Sequence, residues 1–551
     1  MSPVLLIPAQ VQYTNTLSAT LQHFLPVDKT IHGTMMGEPD IRSVVHLHGN
    51  RIVDQASDGF PEAWISPTGT LPMLPRVPPN LSPFQYTNNQ EASLLWYHDH
   101  TIGMTRLNVF AGMAGLYIVR DTNEQTLITN NQLPSGRYEV PLVIQDRTFK
   151  LDGSLAYPDK DPNTLLGGIA NPSVVPEFFG NVIVVNGTAW PYFQVEPKKY
   201  RLRLLNGSNA RFYTMDFKFT DTTVIPSQDY YVPFQVIATD SGLLNAPVPA
   251  TIGTSSITPT VPALTMAPAE RYDIIIDFTG LGGKNITMTN SAPVPFGRTQ
   301  PCTTAIPPCV PPGIPATGTM QGQIMQFKVN APAVSSPAIT IPAALRTPIV
   351  PLVNTPAHQV LLVETKDDKG RITPMLGTLN NGWIDFMGDH IDYTKNPIQV
   401  TPIGDTDKPA RNSVQTWEIF NSTLDAHPIH LHDGAFQPIE RQPFSAILGP
   451  GGSLTDICYS STPRQPKSGT VVPACPPVTP PSPVLAREKG WKDTMLVYPS
   501  ENNTPTINIG GIVKGQVTRV NIKFEGPGLF VWHCHITEHE DHDMMRPLAV
   551  R

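Results

Sequence analysis

The chain has 551 residues, enough for three or four domains of ordinary size, and it carries a formal net charge of −7 with a pI near 6.1. This mildly acidic balance, without a run of lysine or arginine, excludes the electrostatic signature of a nucleic-acid or anionic-membrane binder. No apolar stretch approaches the roughly 20 residues of a membrane helix. Only 15% of the residues are charged, whereas 60 are proline and 40 are glycine. Such a composition favours short strands joined by turns, so we predict mostly β structure.

Apolar runs and one linker divide the chain into three segments. The first segment covers residues 1–125, the middle segment covers residues 136–330 and the last segment covers residues 355–551. A Pro/Ala-rich stretch at residues 331–357 is typical of a linker between the second and the third. The apolar runs that predict strands most clearly are 114–120, 138–144, 181–185 and 272–278.

Ten of the 15 histidines fall in four tight clusters, and every cluster contains His-x-His. In chain order the clusters are His46-Leu47-His48-Gly49, Trp96-Tyr97-His98-Asp99-His100, His427-Pro428-Ile429-His430-Leu431-His432 and His533-Cys534-His535-Ile536-Thr537-Glu538-His539. Alternate residues of a strand point to one face, roughly 6.6 Å apart, so each pair can direct two imidazoles at one metal or at two adjacent metals. Neutral nitrogen ligands without carboxylates favour copper or zinc over magnesium or calcium.

The fourth cluster places a cysteine between two histidines. If residues 533–535 are extended, the two histidines face one way and Cys534 faces the other. A thiolate, two imidazoles and a weak axial thioether form the ligand set of a blue-copper electron-transfer site. Cys534, His539 and Met544 supply three of these ligands, and His427 is the spare histidine of the third cluster. The pattern therefore predicts a thiolate copper site that feeds single electrons to a histidine-rich cluster, where dioxygen is reduced.

These motifs resemble those of the multicopper oxidases, and most closely the bacterial spore-coat laccase and bilirubin oxidase group. The resemblance covers nearly the whole chain and is carried by VVHLHG, LWYHDHTIGMTRLNVFAGMAGLYIVRD, APAERYDIIIDF, HPIHLH, EKGWKDT and HCHITEHEDHDMMRPL. It implies an all-β fold of three cupredoxin-like domains, each a Greek-key β-barrel or sandwich. It also implies a trinuclear copper cluster between the first and third domains, and a middle domain that is a spacer without ligands.

The resemblance further implies about four copper ions per chain, namely one type 1 copper, one type 2 copper and a type 3 pair. The type 1 ligands would be His427, Cys534, His539 and axial Met544. The type 2 ligands would be His46 and His430. The type 3 ligands would be His48, His98, His100, His432, His533 and His535.

Two acidic residues match positions that the family uses to manage protons near the cluster. They are Asp58, in the sequence Ser-Asp-Gly-Phe-Pro, and Glu540, which directly follows His539. Reduction of dioxygen to water consumes protons, so an acidic relay is chemically required. The alternative is that Asp58 forms a turn and that Glu540 is a solvated surface residue.

Three functions compete for this pattern. The first is a laccase-type oxidase that takes electrons from small aromatic reductants, such as phenols, aromatic amines or bilirubin-like pigments, and passes them to dioxygen. The second is a metal-ion oxidase for Cu(I), Fe(II) or Mn(II); the 16 methionines form no Met-rich run, which argues mildly against Cu(I). The third is a structural coat protein or an electron carrier without oxidase activity. A carrier needs only the blue site, so eight further cluster histidines favour an oxidase. We expect a monomer.

Two features concern the start of the chain and its cysteines. The first histidine pair comes as early as residue 46, so we expect a first domain that is truncated at its N-terminus or a misassigned start. No signal peptide is visible in the opening residues. Cys302 and Cys309 form one close pair in a Pro-rich loop, and Cys458 and Cys475 form another. Disulfides there would favour an extracytoplasmic location, whether periplasmic, secreted or spore coat; the alternative is four free thiols.

An insertion at residues 446–486 also departs from the family pattern. It lies between two motifs of the last segment and contains one of the cysteine pairs. In a cupredoxin-like domain such a loop could approach the blue copper, and we expect it to shape the substrate entrance.

Overall fold

The structure is a computed structural model of the chain. It describes residues 7–18, 20–34, 37–51, 54–72, 75–160, 174–250, 264–297, 314–315, 319–330, 337–353, 357–367, 369–392, 399–401, 404, 407–460, 462, 475–499 and 510–551. The predicted pair Cys302–Cys309 lies outside these residues.

The first segment contains five short strands and three short helices. Their bounds are β1 (Ala9–Val11), β2 (Val45–His48), α1 (Gln55–Asp58), β3 (Phe84–Tyr86), β4 (Ser93–Asp99), α2 (Thr105–Phe110), β5 (Ala114–Val119) and α3 (Thr122–Thr129). The strands form a two-stranded sheet, β1-β3, and a three-stranded antiparallel sheet, β2-β4-β5. The register of β2 against β4 places His46 opposite His98. Two of the histidine clusters therefore meet in neighbouring strands.

The middle segment is built from two large sheets. Its strands are β6 (Glu139–Arg147), β7 (Val182–Val185), β8 (Thr188–Ala189), β9 (Tyr192–Val195), β10 (Lys199–Asn206), β11 (Tyr213–Asp221), β12 (Gln228–Tyr231), β13 (Phe234–Thr239), β14 (Gly242–Pro249), β15 (Leu264–Met266), β16 (Arg271–Asp277), β17 (Asn285–Asn290), β18 (Pro293–Val294), β19 (Ile314–Pro315) and β20 (Gln323–Val329). One sheet has the order β14-β13-β16-β10-β6-β7-β8, and the other has the order β12-β11-β17-β20-β9 with β15 on β11. A continuous apolar core contains residues from both sheets. Ile274 and Ile276 contribute to it from the central strand β16, as expected of β-branched side chains in a buried strand.

The last segment contains the remaining strands and one short helix. Their bounds are β21 (Ala357–Lys366), β22 (Ile372–Gly377), β23 (His390–Asp392), β24 (Gln399–Thr401), β25 (Val414–Asn421), β26 (His427–Leu431), β27 (Gly434–Leu448), β28 (Leu454–Cys458), β29 (Ser482–Pro483), β30 (Thr494–Val497), β31 (Ile512–Phe524), β32 (Gly528–Cys534), α4 (Thr537–Asp541) and β33 (Met545–Val550). The sheet β22-β21-β25-β31-β27-β28 faces a four-stranded sheet, β30-β26-β32-β33, across a shared core. In the four-stranded sheet His430 lies opposite His533.

The insertion is partly described. Strands β28 and β29 both pair with β27, and Cys458 forms a disulfide with Cys475. The sequence left a disulfide and two free thiols open for this pair, and the structure has the disulfide. The expected role of the insertion in shaping a substrate entrance stays a prediction.

All four predicted runs form strands, namely β5, β6, β7 and β16. The α-helices are short; the longest in the described part of the chain, α3, has 8 residues. No helix in that part is long and apolar enough to cross a membrane. The prediction of a mostly β structure is confirmed.

Candidate metal centre

The end of strand β32 separates two groups of potential ligands. The strand ends at Cys534, and the fully buried side chains of His533 and Cys534 point to different groups. The ring of His533 lies 5.4 Å from the ring of His535, centroid to centroid, within the histidine cluster. The sulfur of Cys534 instead lies 3.6 Å from the Nδ1 atom of His427. The predicted alternation across residues 533–535 is present in the structure.

The cysteine has the surroundings of a thiolate metal site. Its Sγ atom is 3.6 Å from Nδ1 of both His427 and His539. Met544 is fully buried, and its backbone binds the same residues: its N–H donates to the carbonyl of His539, and its carbonyl accepts from the N–H of Cys534. Burial raises the pKa of the Cys534 thiol well above its ordinary value of 9.0. The thiol therefore gives up its proton only when a cation binds beside it.

Eight histidines from the first and last segments form the second group. Their ligand atoms meet in three sets of three, and within each set the atoms lie within 4.8 Å of one another. The sets are His46, His430 and His432; His48, His98 and His535; and His100, His432 and His533. Each set combines residues of the first segment with residues of the last. No residue of the described part of the middle segment belongs to any set.

Several of these rings have a buried nitrogen atom that makes no hydrogen bond within the described part of the chain. The Nε2 atoms of His46, His98, His430 and His432 are buried and have no hydrogen-bond partner among the described residues. Nε2 of His100 lies 3.2 Å from Nε2 of His533, a separation at which two lone pairs would repel unless a proton or a cation lies between them. The other ring nitrogen, Nδ1, of His46 donates to the backbone carbonyl of Asp58 at 2.7 Å, and Nδ1 of His98 donates to that of Asp99 at 2.8 Å. Such bonds fix the ring orientation and leave the other nitrogen for a metal.

Seven of the eight cluster histidines are neutral near pH 7. Burial lowers the pKa of both His100 and His533 to about 3 because it disfavours the charged ring. Burial and neighbouring imidazoles also place the pKa of five further rings well below 6.5, those of His48, His98, His430, His432 and His535. Each of these imidazoles keeps a lone pair that can bind a cation.

Each of the two predicted acids is buried against a pair of cluster histidines. Asp58 accepts a hydrogen bond from Nδ1 of His432 at 2.7 Å, and its carboxylate lies 3.5 Å from Nδ1 of His46. Glu540 lies 3.5 Å from Nδ1 of His100 and 3.2 Å from Nδ1 of His533. The carboxyl group of Glu540 is fully buried, and burial raises its pKa. The alternative of a solvated Glu540 is excluded by this burial.

Asp493 is a site residue that our sequence reasoning missed. Its carboxylate accepts from Nε2 of His48 at 3.0 Å, and its backbone carbonyl accepts from Nδ1 of His430 at 2.8 Å. The sequence could have pointed to this residue, because Asp493 belongs to EKGWKDT, one of the motifs that carry the family resemblance. Asp493 also shares a set of possible ligands with His48 and His430. Both of its carboxylate oxygens, however, accept from the guanidinium of Arg271, so we assign it to the support of the ligands.

Comparison with known proteins agrees with this geometry. The sequence profile of the family described as Multicopper oxidase matches residues 380–551. The chain is 38% identical over 551 residues to a laccase of Bacillus subtilis, and 37% identical over 548 residues to a laccase of Bacillus stratosphericus. Each alignment covers 98% of this chain and 86% of the relative. The chain therefore belongs to the multicopper oxidases, and it is a copper-dependent oxidoreductase of the laccase type.

A solved structure supports the fold. The McoA multicopper oxidase from the hyperthermophile Aquifex aeolicus aligns with a TM-score of 0.60 at 23% identity, over 93% of this chain and 85% of that chain. The predicted all-β, cupredoxin-like fold is confirmed. The buried donor set also fits copper, since it combines a thiolate with two imidazoles at one site and eight imidazoles at the other.

Proposed function

We propose that the chain is a laccase-type oxidase that takes single electrons from phenols and aromatic amines and reduces dioxygen to water. In this proposal it holds about four copper ions. The type 1 ligands are His427, Cys534, His539 and axial Met544. The type 2 ligands are His46 and His430. The type 3 ligands are His48, His98, His100, His432, His533 and His535.

One observation carries this proposal. Cys534 lies against His427 and His539, while His533 and His535, its neighbours in the chain, lie in the eight-histidine cluster. His533 also donates from Nδ1 to the carbonyl oxygen of Cys534 at 3.0 Å. Two metal centres are thereby joined by a few covalent bonds and one hydrogen bond. A carrier that only shuttles electrons has no use for this second centre.

The residues of the chain divide the work of the reaction. Bound copper supplies one-electron redox chemistry at both centres. Cys534 connects the centres, and its backbone and the flanking histidines form the electron path. Asp58 and Glu540 each lie beside a different pair of cluster histidines, where their carboxyl groups can relay the protons that oxygen reduction consumes. The burial of all eight cluster histidines excludes bulk water from the site.

Copper analysis and oxygen uptake test this function. The chain is loaded with copper, and copper per chain, the visible spectrum and oxygen consumption with 2,6-dimethoxyphenol are measured. We expect about four copper ions, an intense thiolate band and steady oxygen uptake. In the matched variant Cys534→Ser the band and the uptake should vanish while cluster copper remains. Fully loaded protein that consumes no oxygen would instead favour a coat protein or an electron carrier.

The metal-ion alternative is tested by the same assay. Rates of oxygen uptake with Cu(I), Fe(II) and Mn(II) are compared with those for phenols and aromatic diamines. A kcat/KM that is higher for one metal ion than for every aromatic donor would overturn the proposed substrate class.

The proposal includes an extracytoplasmic location and a monomer. The disulfide between Cys458 and Cys475 supports the location, because such bonds persist in oxidising compartments. Thiol labelling of protein taken directly from its native host, with and without reductant, tests it. Labelling of both cysteines without reductant would contradict an oxidising compartment. Light scattering of the purified protein gives the oligomeric state.

A further inference from the structure

Arg271 joins the three segments of the chain at one buried point. All five N–H donors of its guanidinium are used, and the side chain is fully buried. Nε donates to the carbonyl of Leu94 in the first segment at 2.9 Å. The Nη atoms donate to the carbonyls of Ala269 and Asp240 in the middle segment, both at 3.1 Å, and to the carboxylate of Asp493 in the last segment at 2.6 and 2.5 Å. A planar fork held by five bonds has one orientation.

Asp493, which Arg271 holds in place, accepts hydrogen bonds from two cluster histidines. Oδ1 accepts from Nε2 of His48, and the backbone carbonyl accepts from Nδ1 of His430. The two rings are stacked with their centroids 3.6 Å apart. The proton of His48 is thus held on Nε2, which leaves Nδ1 for the metal, whereas His430 presents Nε2. The two stacked rings therefore present different nitrogen atoms to the cluster.

Neighbouring buried side chains hold the pair of Arg271 and Asp493 in place. Lys492 is buried next to it and binds Asp240 at 2.9 Å and Glu270 at 3.0 Å. Ser241 donates to Oδ2 of Asp493 at 3.1 Å. Three of these four supporting residues, all but Lys492, come from the middle segment. Glu270 belongs to the motif APAERYDIIIDF and Lys492 to the motif EKGWKDT, and neither motif supplies a proposed copper ligand.

We infer that the ion pair of Arg271 and Asp493 is a positioning device through which the middle segment sets the tautomer and orientation of His48 and His430 for copper binding. The inference rests on the proposed function, since it concerns ligands of the trinuclear cluster. A carboxylate behind a metal-binding imidazole orients the ring and raises its basicity, and removing it typically costs about 10–100-fold in metal affinity or activity. The middle segment then has a role beyond that of a spacer.

The test separates positioning from ordinary stability. Asp493→Asn keeps the shape and removes the charge, and Arg271→Lys keeps the charge and removes the fork. The matched control is Arg201→Lys: Arg201 is equally buried in the middle segment, and it binds Asp273 at 2.5 and 3.0 Å and Glu124 at 2.7 Å rather than the carboxylate that holds His48. Copper-loaded proteins are compared by copper content, by the paramagnetic resonance spectrum of type 2 copper, by the visible thiolate band and by melting temperature.

We expect both site variants to keep the thiolate band, to change the type 2 spectrum and to bind cluster copper about 10–100-fold more weakly. Arg201→Lys should lower the melting temperature only. If the site variants melt early but show the wild-type type 2 spectrum and copper content, the pair is merely structural and the inference is wrong. If neither site variant folds, Ser241→Ala replaces them, because it removes a single hydrogen bond to Asp493. A changed type 2 spectrum in this variant would support the inference, and a wild-type spectrum would overturn it. Wild-type protein that binds no cluster copper would instead contradict the proposed function itself.

Discussion

Met544 would supply the thioether ligand of the proposed type 1 site, and its neighbour Met545 provides a matched control. Met544 is buried in the same apolar cluster as Cys534, whereas Met545 packs in a different cluster with Phe60 and Trp64. A thioether stabilises oxidised copper, so Met544→Leu should raise the reduction potential by about 60 mV or more, a tenfold change for one electron. Met545→Leu should leave the potential unchanged. Redox titration followed at the thiolate band measures the potential of each variant. An unchanged or lower potential in Met544→Leu would contradict the assignment.

The proposed proton role of Asp58 and Glu540 can be tested against a nearby acid. Asp58→Asn and Glu540→Gln replace a carboxyl group that can exchange protons beside the cluster, and we expect kcat for oxygen reduction to fall about 100-fold or more. Glu538 is the control, because it is equally buried but accepts hydrogen bonds from Tyr157 at 2.7 Å and Asn209 at 2.9 Å instead of facing a pair of cluster histidines. Burial raises its pKa to about 7, so Glu538→Gln resembles its protonated form. Equal losses in all three variants, at full copper content, would refute a specific relay.

At the scale of elements, the turn after β2 shows how closely the segments approach. Gly49 follows His48 with φ of +88°, and a Cβ atom there would lie 2.6 Å from Nη2 of Arg271 and 2.8 Å from Oδ2 of Asp493. Gly49→Ala should therefore cost the roughly 1–2 kcal/mol of a left-handed residue plus about 1–3 kcal/mol of overlap. Gly69→Ala is the control, since Gly69 has φ of +72° and open space around it. Chemical unfolding should show the larger loss for Gly49→Ala; equal losses would mean that the overlap relaxes freely.

The same elements show what the sequence can and cannot predict. Alternation along a strand predicted that Cys534 and its flanking histidines serve different centres, because side-chain direction in a strand is a local property. Which nitrogen a ring turns to the cluster is set locally for His98, whose Nδ1 donates to the carbonyl of Asp99, but not for every ring. His48 is oriented by Asp493, which is 445 residues away in the chain. Such pairings arise only when the segments pack together, so the motif EKGWKDT was visible in the sequence while its role was not.

For the whole molecule, the packing of the first segment against the last decides the protonation of the cluster. Four histidines come from each side, and none of these rings is more than 3% exposed. In an unfolded chain each would have a pKa near 6.5. In the fold, burial depresses the pKa of seven of them, to about 3 for His100 and His533. At about pH 6 these seven rings should therefore remain free of protons that compete with copper.

Proton release on copper loading tests this directly. At pH 6, seven imidazoles with ordinary pKa values would be about three-quarters protonated and would release about five protons when copper binds. Because their pKa values are lowered, these rings should release almost none. The thiol of Cys534 has a raised pKa and must lose its proton, and the buried Glu540, whose pKa is also raised, can lose another beside the bound cations. We therefore expect about one or two protons per chain when folded, copper-free protein is titrated anaerobically with Cu(I) in weak buffer. Cys534→Ser should release about one fewer, and a release near five would show that the empty cluster admits water and protons before the metal arrives.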